Sequence, residues 1–286
     1  MIEELIQRTQ VINLTGNTTI NVNSGSAESL VDNTDIDAVA AVHNNIYRGK
    51  DLTNIYSVTD ISNKLTNNDL SDLYIGDYIT LPYTHTSTIT NINFRIAHFN
   101  YWKYKGYIDT TNGLKIDNTK PNIYDSITAN HILFIPDTAL FDAQMNSTNT
   151  ASSGVRGSAL WSTLNTTVYN ELNDVTCFNG HIIGHSDYLT NKVDGWVCSD
   201  ELVGLCSEVM VYGSTVWSMN GYQTGIKNQQ LALFRLNSNM INLNRFSWWL
   251  GSIVSSTAFT FVGLTGNANN SSASNSLGVR PLFLVA

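Results

Sequence analysis

Charge is what this sequence lacks most. Asp, Glu, Lys and Arg together make up 13% of the 286 residues, about half the usual quarter. Lys and Arg number 15 against 23 Asp and Glu, a formal net charge of −8. The basic residues are scattered. The nearest approach to a cluster, Tyr101-Trp-Lys-Tyr-Lys105, reads as an exposed strand face. Nucleic-acid binding needs a basic footprint to neutralise phosphates, and there is none. Cysteine is scarce as well. Cys177, Cys198 and Cys206 form an odd set without Cys-x-x-Cys spacing, which excludes a disulfide framework and a thiolate zinc site. They are expected as small core side chains. No apolar run approaches membrane-spanning length. Met1-Ile-Glu-Glu-Leu-Ile6 has no basic region leading into an apolar stretch. The expectation is a soluble chain made in the cytoplasm, with no membrane insertion.

Apolar residues are present in ordinary amount. At 42% they allow a sizeable core and argue against global disorder. The length suits one large domain or two smaller ones. Polarity comes from Asn, Thr and Ser. Thr fits a pleated surface, and Asn and Gly tolerate left-handed backbone, so this composition favours β-structure and turns.

Residues 1–40 differ from the rest. Ile2, Leu5 and Ile6 fit one or two helical turns, and Ile12/Leu14 and Ile20/Val22 alternate about Gly16-Asn17 like a hairpin. So small an element cannot bury its own apolar face. It reads either as an oligomerisation or attachment segment, or as a first strand of the main body. In the body, Thr59 to Leu70 predicts a helix with Thr59 as N-cap. Ser158 to Asn173 predicts the clearest helix, with Leu160, Leu164, Val168 and Leu172 at i, i+4 spacing. A second helix is expected over Asp200 to Val209. Strands are expected at Leu73–Ile79, His131–Pro136, Val209–Tyr212, Gln230–Leu236, Phe246–Leu250, Ala258–Val262 and Gly278–Val285. Two helices followed by a strand-rich end indicate an α+β fold, not a βαβ repeat.

Chemistry is sparsely signalled. His181 and His185 are four apart, but Ile182 stands where a metalloprotease has its general base, and Gly180 and Gly184 disfavour a helix. They read as loop imidazoles, and no metal or cofactor is expected. There is no G-x-S-x-G and no phosphate-binding glycine loop. Asp69, Asp72 and Asp77 miss calcium-loop spacing and read as a solvated face.

The most informative stretch is 244–280. Trp248, Ser252, Val254, Ser255, Thr257, Phe259, Phe261, Asn267, Asn269, Asn270, Ser274 and Asn275 mix rigid rings with small adaptable polar groups, as binding surfaces do. These twelve are the expected ligand-binding face. Alternation along the strand puts only one of Trp248 and Trp249 outside.

Trp249-Leu250, a Ser-rich turn, an aromatic strand, an Asn/Gly/Ser-rich loop and Gly278-Val-Arg-Pro281 resemble the C-type-lectin-like domain of phage and bacterial surface proteins. These include variable proteins of the major tropism determinant type. Upstream, Ile46–Asp51, Leu73–Tyr78, Met145–Thr148, His185–Asn191 and Glu208–Ser214 resemble, in order, blocks of gut-phage structural proteins, so the likeness spans roughly 41–286. One departure is Gly251, where the family has Arg after Trp-Leu. The resemblance implies a C-type-lectin-like domain over 41–286, two helices packed on short antiparallel sheets, behind a small N-terminal assembly segment at 1–40. It implies a binding face within 244–280 directed at a host-surface receptor or glycan, contacts with other virion proteins, assembly as a homotrimer, and a place on the virion after synthesis in the host cytoplasm. Arg280 is expected to be structural, held extended by Pro281 and gripping a carboxylate or backbone carbonyls.

Three functions are thereby set against each other. The first is a fibre or head-fibre protein that binds a host receptor and is not an enzyme. The second is a decoration protein touching only other virion proteins. The third is a formylglycine-generating type of enzyme, which shares the fold and would depend on Cys198 and Cys206.

Overall fold

The computed structural model describes residues 36–103, 127, 129–191, 195–218 and 229–286, and within 186–200 only the backbone. The helical turns expected around Ile2–Ile6 and the hairpin expected over Val11–Val22 lie outside the described residues. The strands are β1 (Tyr78–His85), β2 (Thr88–Phe99), β3 (Ile132–Pro136), β4 (Phe141–Gln144), β5 (Ile182–Ile183), β6 (His185–Asn191), β7 (Gly195–Glu201), β8 (Val203–Leu205), β9 (Trp248–Ile253), β10 (Ala258–Val262), β11 (Ala268–Ser272), β12 (Ser276–Val279) and β13 (Pro281–Val285). The helices are α1 (Ile36–His43), α2 (Val58–Thr66), α3 (Ala159–Thr163), α4 (Tyr169–Leu172), α5 (Glu208–Tyr212) and α6 (Ala232–Leu236). The architecture is α+β with short helices. The boundary expected at residue 40 falls inside α1.

Two sheets form the frame. One runs β1-β2-β3-β13-β5, with β8 also paired to β13; the other runs β11-β10-β9-β12-β4. All pairings are antiparallel except β9 with β12, which meet in parallel at Trp248 and Gly278. The β6–β7 hairpin stands as a separate two-stranded sheet. The chain passes between the main sheets four times, and two of the crossings are short: β3 to β4 and β12 to β13. Arg280 is the residue between β12 and β13. It is 1% exposed. Its Nε donates to Pro136 O at the end of β3 (2.7 Å), and its Nη1 donates to Met240 O and Ile241 O (3.0 and 3.1 Å). The guanidinium also lies 5.0 Å from the Trp248 ring centre and 5.6 Å from that of Phe234. Its expected structural role holds, and the groups gripped are carbonyls. Gly278 has its own reason. A Cβ there would come within 2.8 Å of Ala139 Cβ and 2.9 Å of Ser247 O, so β12 reaches β9 only without a side chain.

The cores on either side of this joint are aromatic. Phe94, Phe178 and Phe283 meet at 4.7–5.8 Å between ring centres. Trp249 meets Phe259 and Phe261 edge-on at 6.5 and 6.3 Å. Both Trp248 and Trp249 are fully buried, because β9 is the middle strand of its sheet and is covered on both faces. The expectation that one of the pair is exposed is therefore corrected.

Two upstream blocks of the resemblance meet in space. Asp77, fully buried, accepts from Arg48 Nε and Nη2 and from the backbone N–H groups of Lys50 and Tyr74. Tyr74 is stacked between the Arg48 guanidinium (4.5 Å) and the His43 ring (4.5 Å). Gly76, at φ +85°, leaves room for the Tyr47 ring, which a Cβ would strike at 2.3 Å. Asp77 is thus an interior anchor, not part of a solvated face. Burial pushes its carboxyl up, opposed by the Arg48 bonds. Asp69 and Asp72 are bound to Lys64 and to Arg48 with Lys50.

Elsewhere the local rules hold with shifts. Helix α2 is capped by Ser57, not Thr59: Ser57 Oγ accepts from Asp60 N while the Asp60 carboxylate accepts from Ser57 N. Thr59 instead meets His181 Nε2 at 3.2 Å. The long helix at 158–173 forms from Ser158 onward, but Leu164–Val168 is a π-turn between α3 and α4. There Asn165 accepts from Leu202 N and donates to Val203 O, clamping β8 to the helix. The helix expected at 200–209 is corrected: that stretch is the end of β7, then β8, then the first turn of α5. Ser207 caps α5 and Gly213, at φ +79°, ends it. Val209–Tyr212 and, within the expected Gln230–Leu236 strand, Ala232–Leu236 are helical rather than extended. Leu73–Ile79 is extended only from Tyr78, the rest wrapping around Asp77.

Replacing Arg280 with Ala leaves three carbonyls without their donor and should lower unfolding free energy by about 3–5 kcal/mol. Arg280→Lys, which keeps the charge but not the fork, should cost about 1–3 kcal/mol. Gly76→Ala should cost more than about 1 kcal/mol. Urea unfolding of each variant measures these losses.

Candidate functional site

Strands β10 and β11 pair from Ala258↔Ser272 to Val262↔Ala268, and β11 is the sheet's outer strand. This hairpin carries most of the expected face, but in a different arrangement. Trp248, Ser252 and Phe259 are interior, at most 1% exposed, so their expected exposure is corrected. Trp248 Nε1 donates to Ile241 O (3.1 Å). Ser252 Oγ accepts from Glu208 N (3.0 Å). Phe259 packs on Trp249. Phe261, opposite Asn269, is half-buried. The remaining eight reach solvent in two groups. Val254, Ser255 and Thr257 lie at one end with Ser274 and Asn275, where Ala273 N donates to Thr257 O (2.9 Å). Asn267 and Asn269 lie toward the other end, and Asn270 lies between on β11. The ends are about 15 Å apart at the usual rise of a strand. The polar side chains are pre-set by local bonds: Asn267 Oδ1 accepts from Thr265 Oγ1 (2.7 Å), Asn269 Oδ1 from Asn270 N (2.8 Å), and Asn275 Nδ2 donates to Ser271 Oγ (2.8 Å).

One residue of the face was not foreseen. Trp217 is 42% exposed, and its Nε1 donates to Ala268 O (3.0 Å). Asn267 Nδ2 donates to the same oxygen (3.3 Å), so indole and amide lie side by side. Helix α5 sets this position. The fully buried Glu208 carboxylate accepts from the backbone N–H groups of Val216, Trp217 and Ser218 and from Ser218 Oγ, at 2.6–3.2 Å. Tyr212 OH, one turn on, donates to Gly266 O (3.1 Å). The only sequence signal was an apolar pair, Val216-Trp217, inside a Gly/Ser/Thr run just after a helix-ending glycine. From 246 to 279 there is no Asp, Glu, Lys, Arg or His, and none from 209 to 218. The face therefore carries amides, hydroxyls and one exposed ring, with no formal charge of its own.

Gly251, where the pattern it resembles has Arg, is buried, and its N–H donates to Cys206 O (2.8 Å). A Cβ there would meet Leu205 O and Val155 Cγ2 at 3.4–3.5 Å, so packed atoms fill the place of the longer side chain. The described thiols are not activated: burial pushes both Cys177 and Cys206 up to about 12. The Cys198 side chain is outside the described residues. Among the described residues, no group of three or more His, Cys, Asp and Glu side chains is placed to hold a metal ion. His181 faces Thr59, while His185 is buried against the Trp102 ring at 3.9 Å, so the two do not converge.

His185 is unusual. Neither ring nitrogen has a hydrogen-bond partner, and Glu201 Oε2 is 3.8 Å from Nε2. Burial pulls its pKa down to about 3, and that of the neighbouring His131 to about 4. Both are held neutral in the fold.

Set beside protein-family models, curated proteins and solved structures, the chain matches none of them. The class it belongs to is accordingly given by its own geometry: an α+β protein of two antiparallel-rich sheets, with an uncharged hairpin face.

The buried histidines predict acid lability. Their folded pKa values lie below the usual 6.5 or so of an unfolded chain. Their stabilising contribution is thus complete above that pH and is lost as pH falls toward about 4 and about 3. Unfolding free energy should drop by about 1 kcal/mol per pH unit per histidine through that range. In His185→Phe the slope between pH 6 and 4.5 should be shallower by one histidine; an unchanged slope refutes this.

Proposed function

We propose that the chain is a bacteriophage virion surface protein, of fibre or head-fibre type, and not an enzyme. It binds a host-surface receptor or glycan through a C-type-lectin-like domain formed by the body of the chain. The carrying observation is the uncharged outer edge of the hairpin: solvent-reaching amides and hydroxyls along the outer strand β11 and its turns, held in place by local bonds beside an aromatic core. Such a surface is built to offer directional hydrogen bonds with little ordering cost. Three further features support the lectin-like reading. The final strand β13 sits inside its sheet between partners from far earlier in the chain. The Gly278-Val-Arg-Pro281 run has a structural task at nearly every position. The helices are few and short. On this reading the segment preceding α1 serves attachment or self-association as a homotrimer, alongside other virion proteins. Buried, unactivated Cys206 gives the oxidase-like alternative no support.

Purified chain carrying a fluorescent label should be retained by cells of one or more strains in a panel of bacteria. Asn267→Ala/Asn269→Ala and Ser274→Ala/Asn275→Ala should each reduce retention at least fivefold while unfolding midpoints stay unchanged. Equal retention by both double variants, or retention by no strain, counts against the proposal. Light scattering should give three times the 31.6 kDa chain mass.

A further inference from the structure

Among the described residues Trp217 is the one exposed large aromatic side chain. An exposed indole ordinarily samples several rotamers, and a ligand that needs one of them must order it. Here that freedom is already removed. The ring is tied by Nε1 to Ala268 O, and its backbone is tied through the Trp217 N–H to the buried Glu208 carboxylate. A flat apolar face is thus presented in a fixed direction, at the edge of the β10–β11 hairpin.

What surrounds the ring narrows the ligand. The Asn267 amide lies beside it on the same carbonyl, and β11 continues the surface as Ala-Asn-Asn-Ser-Ser, all half-exposed. Amides and hydroxyls both donate and accept, as sugar hydroxyls do. The chain offers no charge over 209–218 or 246–279, so a charged group placed on this face would lose water without gaining a partner. A protein partner would more naturally face clustered aromatics, with few serines at the centre; here a single ring stands in a field of Asn and Ser.

We infer that Trp217 and Asn267 form a subsite for a neutral saccharide, the indole face stacking on one sugar ring while the amide bonds its hydroxyls. Glu208 is a positioning residue: it touches no ligand and fixes the loop that carries the ring. This assignment rests on the receptor-binding function proposed above, and names the chemistry of its ligand.

The test uses the full chain and immobilised probes: neutral glucose, galactose and N-acetylglucosamine oligomers, their sulfated and sialylated counterparts, and a random peptide library. The intact chain should bind at least one neutral oligomer. Trp217→Ala should weaken that binding at least tenfold, and Trp217→Phe should restore part of it. Near-ultraviolet circular dichroism checks that each variant is folded. A neutral oligomer that binds should also shift the tryptophan emission of the intact chain but not that of Trp217→Phe. Capture of only sulfated, sialylated or peptide probes, capture of none, or equal binding by Trp217→Ala overturns the subsite. Cell retention, measured in parallel, separates the two levels. A chain retained by cells that ignores neutral oligomers loses the saccharide subsite and keeps the receptor function; a chain that binds neutral oligomers through Trp217 but is retained by no cells keeps the subsite and loses the receptor function.

Discussion

One buried guanidinium holds the two sheets in register. Arg280 lies where the chain leaves the sheet of β9–β12 and enters the sheet of β3 and β13. Its three hydrogen bonds join the end of β3, the turn before β9 and the strand break itself. Burial lowers its pKa to about 10, which still leaves it charged at neutral pH. A charge in such a place is tolerated only when hydrogen-bond partners replace the lost water. Carbonyls meet its Nε and Nη1, and the Trp248 and Phe234 rings lie beside it. The neighbouring crossover is fixed just as firmly, since Asp137, the residue after β3, pairs with the buried Arg95. The joint is therefore a small set of charged groups inside a protein that is poor in charge.

The same economy recurs elsewhere in the body. Asp77 gathers Arg48 and two backbone N–H groups, and Glu208 gathers three backbone N–H groups and a hydroxyl. Each buried carboxylate organises a loop that has no regular structure of its own. The consequence for the surface is direct. Charges committed to the interior cannot decorate the hairpin face, which is left to Asn, Ser and Thr. Such a face gains its specificity from hydrogen-bond direction rather than from long-range attraction. It suits the neutral ligand proposed here.

Rigidity links fold to proposed function. The β10–β11 hairpin is anchored by its own buried Phe259 and Val262 and by Trp249 of β9, and its own amides tie down its turns. Ordering is completed during folding, so a ligand meets preset groups. The least comfortable spot is elsewhere: His185, at the base of the β6–β7 hairpin, is neutral, buried and without a hydrogen bond, which makes that hairpin's root sensitive to acid.

Much of this was legible from residue pattern. The i, i+4 line from Leu160 to Leu172 became helix around one π-turn, with all four residues buried, and the runs at His131–Pro136 and Ala258–Val262 became strands. The extended constraint of Pro281 on Arg280 was legible too. Patterns failed where short apolar runs allow either helix or strand. Val209–Tyr212 and Ala232–Phe234 are helical because Ser207, Gly213 and their packing neighbours decide, not their own propensity. The face was half legible. Composition picked out 244–280, but it could not tell that β9 is a central strand, which buries Trp248 and Ser252, nor that Phe259 points inward. It had no means of finding Trp217, since what brings that ring to Ala268 is a buried carboxylate on another element. The sequence alone determined the fold class, the lack of charge and the region of the face, because these follow from composition and period. Which rings are inside, which one is outside and what Arg280 grips were decided by tertiary structure, because they depend on sheet order and on contacts between residues far apart in the chain.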